Sequence, residues 1–222
     1  MTEQEWLDST ESGKMLAVVR ARLDPRLRRF AVECCRRIRH LIADEVFHAA
    51  ADAGEAFADD PRNEKSTIKV MAAAAIEGWR HRNRYASAAD RHRLCAADGA
   101  LATCASTDWN AAFNAAQAAA KAANRNDPDC CDSAELEYQA DIFRCIFGNP
   151  YQSVAFDSTW RTPTALQLAE SIDSDRAFDR LPILADALLK AGCTNADILR
   201  HCQSVKPHVR GCWVVDLILS KQ

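Results

Sequence analysis

Glycine and proline are scarce, at 7 each in 222 residues, and aromatic residues make up only 7% of the chain. So few chain-breakers exclude a loop-rich or collagen-like protein, and the shortage of aromatic residues leaves little of what strands prefer. No apolar run approaches the roughly 18 residues a membrane-spanning helix needs. There is no glycine-rich phosphate loop, no HExxH and no GxSxG, so the common nucleotide, metallopeptidase and hydrolase signatures are missing. The opening "MTEQEWLDST" carries Glu3, Glu5 and Asp8 where a secretory signal would have a basic start and an apolar run. The expectation is a soluble, cytoplasmic protein with no membrane partner.

What the chain does have is alanine and leucine, both strong helix formers. The predicted fold is all-α, an irregular multi-helix bundle of about eight to ten helices. A first helix is predicted from Glu3 to Leu23, broken around "STESG", with Trp6 and Leu7 anchoring one part and Met15, Leu16, Val19 and Leu23 the other. Apolar residues at Leu27, Phe30, Ala31, Cys34, Ile38, Leu41, Ile42, Val46 and Ala49 keep a three-and-four spacing that predicts one continuous helix. The Ala-rich middle reads as helices over 66–104 and 108–124, which pack closely or stand partly exposed. "ANRNDPDCCDS" clusters Asn, Asp and Pro and sets the domain organisation: a helical part over 1–126 and a compact helical part over 132–222, packed as one globular unit. Further on, Gly148-Asn149-Pro150 and Gly192 stop helices, Thr162-Pro163 starts one, and Thr194 with Asp197 resembles a capping box. The final "CWVVDLIL" reads as helix in this context.

Ten cysteines stand out. Without a secretory signal they read as thiols, and free cysteine is among the most often buried residue types, so most are expected to fill core. Three of them, with two histidines, fall in "AGCTNADILRHCQSVKPHVRGCWVVD". Zinc is held tetrahedrally by Cys sulfur and His nitrogen. The specific metal alternative is therefore Cys193, His208 and Cys212, the last two sharing a face if "HVRGC" is helical, with His201 or Cys202 as fourth ligand. No other cofactor is suggested. A Cys212/His208 nucleophile oriented by Asp216 is a weaker alternative, because Cys212 enters an apolar run.

Two basic tracts invite a nucleic-acid reading. Residues 20–40 hold eight arginines against Asp24 and Glu33, among them Arg28, Arg29, Arg36, Arg37 and Arg39. In "GWRHRNRYASAADRHR", Trp79 and Tyr85 bracket Arg80, Arg82 and Arg84. The competing reading is a solvated helix face balanced by acids elsewhere.

Several phrases together carry a family resemblance: "MTEQEWLDSTESGKMLAVVR", "RLRRFAVECCRRI", "FRCIFGNPYQSV", "RAFDRLPILADALLKAGCTNADILRHC" and "HVRGCWVVDLIL". The chain resembles a paralogous family of bacterial proteins of unknown function, best represented in planctomycetes, over residues 1–50 and 138–220. The resemblance implies a bacterial, cytoplasmic origin and no activity. With no catalytic signature, the expected function is a non-enzymatic interaction or regulatory module that binds another protein through helical grooves or an exposed Ala-rich face. Nucleic-acid association and a zinc-stabilised or thiol-reactive module are the alternatives.

Overall fold

The computed structural model describes residues 1–19, 24–41, 45–63, 65–70, 73–74, 109–124, 127 and 130–221. Among them there are helices and no strand, so the fold is all-α as the composition predicts. The chain divides into two compact units, Met1–Ala140 and Asp141–Gln222.

The first unit begins with α1 (Glu3–Asp8) and α2 (Ser12–Val19), separated at the expected break. Thr2 caps α1 by accepting from the Glu5 N–H, while the Glu5 carboxylate accepts from the Thr2 N–H. Trp6, Met15, Leu16 and Val19 are buried as expected, whereas Leu7 points to solvent. Next come α3 (Arg26–Ile38), α4 (Glu45–Asp59) and α5 (Trp109–Ala123). The one helix predicted over 27–49 is in fact α3 and α4, with a 3-10 turn at Arg39–Leu41 ending the first. Both helices turn apolar residues toward a shared core, so the spacing runs on through the break and periodicity cannot register it. Arg39 closes the hairpin, donating to both oxygens of Asp52 on α4 at 2.7 and 3.2 Å.

Helix α3 packs along α4 and α5 and buries Leu27, Phe30, Ala31, Cys34, Cys35 and Ile38. Its neighbour α5 buries Ala112, Ala115, Ala116, Ala119, Ala120 and Ala122. Small side chains allow close approach of the two backbones, so on α5 the Ala-rich face packs closely, the first of the two outcomes expected for it. The stretch 66–104 lies mostly outside the described residues.

Helix α6 (Ser133–Phe147) begins in the first unit and ends in the second. The division therefore falls within a helix and not at the polar 126–132 linker. The reason is local: the Asp132 N–H donates to Ala120 O at 2.9 Å and the Gln139 amide to Ala116 O at 3.0 Å, tying the first half of α6 to α5.

Glu135 on α6 is only 4% exposed and accepts from Arg37 Nε at 3.2 Å. Burial pushes its carboxyl above the ordinary range, and the Arg37 guanidinium pulls it only part of the way back. A carboxyl raised on folding holds its proton more tightly in the native state. Its contribution is therefore best below the ordinary carboxylate pKa and declines as pH rises through the raised value. Glu135→Gln should thus gain stability relative to the parent as pH rises from about 4 to 7, read from denaturant midpoints. Loss of the Arg37 pair offsets little of this, because Arg37 is half exposed.

The second unit contains the end of α6, then α7 (Pro163–Asp175), α8 (Leu181–Lys190), α9 (Ala196–Cys202) and α10 (Trp213–Leu219). Thr162 caps α7 ahead of Pro163, and the final apolar run is helical, both as expected. Helix α7 packs on α8 and α10, and α8 on α9, around Ile142, Phe143, Ile146, Ile172, Leu184 and Ile218. The cap of α9 is Asn195 and not Thr194: its side-chain oxygen accepts from Asp197 N at 3.0 Å and Ile198 N at 3.1 Å. Asparagine caps at least as well as threonine, and the cap falls one residue after the expected position.

Candidate metal centre

Four side chains of the second unit converge: Cys145, His201, His208 and Cys212, with all four candidate donor atoms within 4.8 Å of one another. They come from four places in the fold. Cys145 lies in the last turn of α6 and His201 in the last turn of α9, while His208 follows in the irregular segment after α9. Cys212 is the N-cap residue of α10. Both sulfurs are buried, with Cys145 2% and Cys212 0% exposed.

The segment "HVRGC" is not helical, so His208 and Cys212 meet by a different route from the one expected. A tight turn brings them together: the Cys212 N–H donates to Val209 O at 3.1 Å, with Gly211 at φ +85°. That backbone angle carries a steric cost for any residue with a Cβ, which is why glycine stands there. On the other side α6 stops at Gly148 with φ +65°. A Cβ on Gly148 would lie 3.4 Å from the Trp213 ring, so the end of α6 closes directly on the start of α10. Trp213 also tilts against His201, with ring centres 5.3 Å apart.

Within the cluster His201 Nε2 lies 3.1 Å from Cys212 Sγ, and His208 Nδ1 lies 3.6 Å from Cys145 Sγ. The far nitrogen of His208, Nε2, is 3.3 Å from the Ser204 carbonyl. A carbonyl only accepts, so Nε2 donates in this contact and Nδ1 is the nitrogen turned into the cluster. Burial acts to raise the Cys212 thiol, but the Cys145 hydrogen bond and the pull of His201 and His208 outweigh it and hold the thiol well below its usual range.

The chain matches no family model, no curated protein and no solved structure.

Cys193, placed in the metal set by its position in the sequence, does not belong to it, and Cys145 takes its place. The reason is the way α8 ends. The Gly192 N–H donates to Leu189 O at 3.0 Å and the Cys193 N–H to Leu188 O at 2.9 Å, the paired bonds of a Schellman motif. Cys193 occupies the position whose apolar side chain tucks against the end of its own helix. Burial raises its thiol, and burial together with Cys212 and Cys193 pushes Cys202 higher still, so neither is poised as a thiolate. Cys212 is fully buried, which removes it as a nucleophile open to substrate. Cys145, in "FRCIFGNP", was missed because a cysteine in an apolar helix reads as core and nothing local joins it to residues 56 to 67 positions away.

The arginines of α3 in the first basic tract are engaged within the first unit. Arg28 is buried over the Phe57 ring at 3.5 Å and Arg29 pairs with Asp59 at 3.4 Å. Arg36 binds Glu55, Arg37 binds Glu135 and stacks on Tyr138, and Arg39 binds Asp52. The tract is chiefly a clamp between α3, α4 and α6. Trp79, Arg80, Arg82, Arg84 and Tyr85 lie outside the described residues. No helix among the described residues is long and apolar enough to cross a membrane.

Proposed function

We propose that this chain is a non-enzymatic interaction module that binds another protein. The observation that supports this best is the closed character of the Cys/His cluster: four donors point at one another, the two sulfurs buried and the two imidazoles half-buried, and their geometry serves to hold a loop. That loop, residues 203–207, is tethered by His201 before it and His208 after it. Lys206 ties it further, donating to Asp141 on α6 at 2.8 Å. At its tip Val205 is fully exposed. A rigid loop that presents an apolar side chain is a contact for a partner, whereas catalysis needs an open position at the reactive groups. The pairing of the α3 arginines favours a protein partner over nucleic acid.

Two measurements on the full chain test this. Titration with fluorescent single- and double-stranded oligonucleotides at low salt should show no binding; salt-sensitive binding would replace the reading with nucleic-acid association. A photo-crosslinking side chain introduced at position 205, compared with the same probe at position 151, should give a discrete protein adduct from 205 alone in cells that make the protein natively. Adducts equal at both positions, or absent from both, would overturn it.

A further inference from the structure

We propose that Cys145, His201, His208 and Cys212 bind one zinc ion in a closed structural site. The inference goes beyond the interaction reading and does not need it.

Three observations carry it. The first is the donor set: two sulfurs and two imidazole nitrogens are a recurrent ligand set of structural zinc, and a tetrahedral S2N2 site selects zinc over the hard divalent ions that prefer oxygen. The second is metric. Zinc–sulfur bonds of about 2.3 Å and zinc–nitrogen bonds of about 2.0 Å give a tetrahedron with edges of about 3.3–3.8 Å. The two separations that pair across the cluster are 3.1 and 3.6 Å, and every other donor pair lies within 4.8 Å. An ion at the centre needs movements of well under an ångström.

The third observation concerns the surroundings of the donors. Ligating histidines nearly always give their second N–H to a carbonyl or carboxylate, which fixes the tautomer and the ring plane. His208 has that arrangement, with Nε2 directed to the Ser204 carbonyl and Nδ1 turned into the cluster. His201 has its ring braced by Trp213 and lies edge-on to His208, with ring centres 4.7 Å apart. Two separate thiol–imidazole hydrogen bonds would account for each pair by itself. They would not require both pairs to meet at one point, nor four separate elements of the unit to deliver them there. All four coordination positions are filled by protein, so the ion is structural and has no place for a substrate.

The site differs from a finger-like zinc knuckle in sequence. Two ligands close a short turn, "HVRGC"; the third is on the helix before it; the fourth comes from α6, more than fifty residues earlier in the chain. Binding therefore couples α6 to α9 and α10, and the order of the second unit should depend on the ion.

The test uses the full chain purified without a histidine tag. Elemental analysis is expected to find one zinc per chain in the parent and in Cys193→Ser, and none in Cys145→Ala. To separate metal loss from loss of folding in Cys145→Ala, the parent is also stripped with a chelator and titrated with cobalt. The expected spectrum has the visible bands of a tetrahedral ion and a thiolate-to-cobalt charge-transfer band of two-sulfur intensity, with a concurrent change in tryptophan fluorescence from Trp213. A parent that carries no zinc and takes up no cobalt would overturn the proposal. So would an octahedral cobalt spectrum, or loss of zinc from Cys193→Ser. A chain that holds zinc yet crosslinks to nothing from position 205 keeps the site and loses the interaction reading.

Discussion

Cys212→Ala is expected to destabilise the second unit far more than Cys202→Ala, although both cysteines are fully buried and ten residues apart. Removing a buried sulfur and leaving a small cavity costs about 1–2 kcal/mol, and that is the whole expected effect at Cys202. At Cys212 the same cavity is joined by loss of the ion, whose binding is folding free energy for a site that does not exist in the unfolded chain. The expected cost is about 4 kcal/mol or more, enough to unfold a marginal unit. Hydrogen exchange of peptides from residues 141–222 reads it locally, without interference from the first unit. The decisive comparison is made with and without metal. In the chelated protein the Cys212→Ala penalty should fall to that of Cys202→Ala, while the Cys202→Ala penalty stays the same, a cycle in which zinc is the second partner. Equal penalties in the metal-replete protein would show both sulfurs to be ordinary core.

The fold class was legible because it rests on local chemistry. Scarce glycine, abundant alanine and the stops at Gly148 and Gly192 each act within a few residues, and Thr162-Pro163 starts α7 as its pattern says. What periodicity could not see was the fold-back between α3 and α4. A hairpin whose two arms bury the same face keeps the three-and-four spacing, and the break is set by tertiary pairing such as Arg39 with Asp52. The domain division was hidden for a similar reason: α6 is uninterrupted in sequence, yet its two ends serve different cores.

The candidate metal centre was legible for three of its four members. His208 and Cys212 are joined by a turn whose glycine is visible in the sequence, and His201 precedes His208 by only seven residues. The remaining ligand depended on which of several buried sulfurs the fold brings near. Proximity in sequence favoured Cys193, but a Schellman ending commits that side chain to its own helix. The first basic tract shows the converse case, where two readings stood side by side in the sequence. Clustered arginine looks like a phosphate surface until the acids that answer it, Asp52, Glu55, Asp59 and Glu135, are seen to arrive from other helices.

Asp173 supplies the other large effect, and its cause is charge, not metal. On α7 its carboxylate is 7% exposed and faces two cations, Lys221 Nζ at 2.5 Å and Arg210 Nε at 3.8 Å. Arg210 belongs to the turn that delivers Cys212, so this carboxylate anchors the turn and the chain after α10 to α7. Asp173→Ala removes the buried carboxylate that faces both cations, at an expected cost of about 2–3 kcal/mol from its charge-assisted contacts. Lys221→Ala removes a partner that is 44% exposed, and the loss should stay below about 1 kcal/mol. The order of these two effects, measured by chemical denaturation of the full chain, distinguishes a buried electrostatic anchor from an incidental surface pair. If the anchor also sets the turn, Asp173→Ala will weaken cobalt binding by the stripped protein while Lys221→Ala leaves it unchanged, so that a carboxylate outside the ligand set tunes the metal through Arg210 and Gly211.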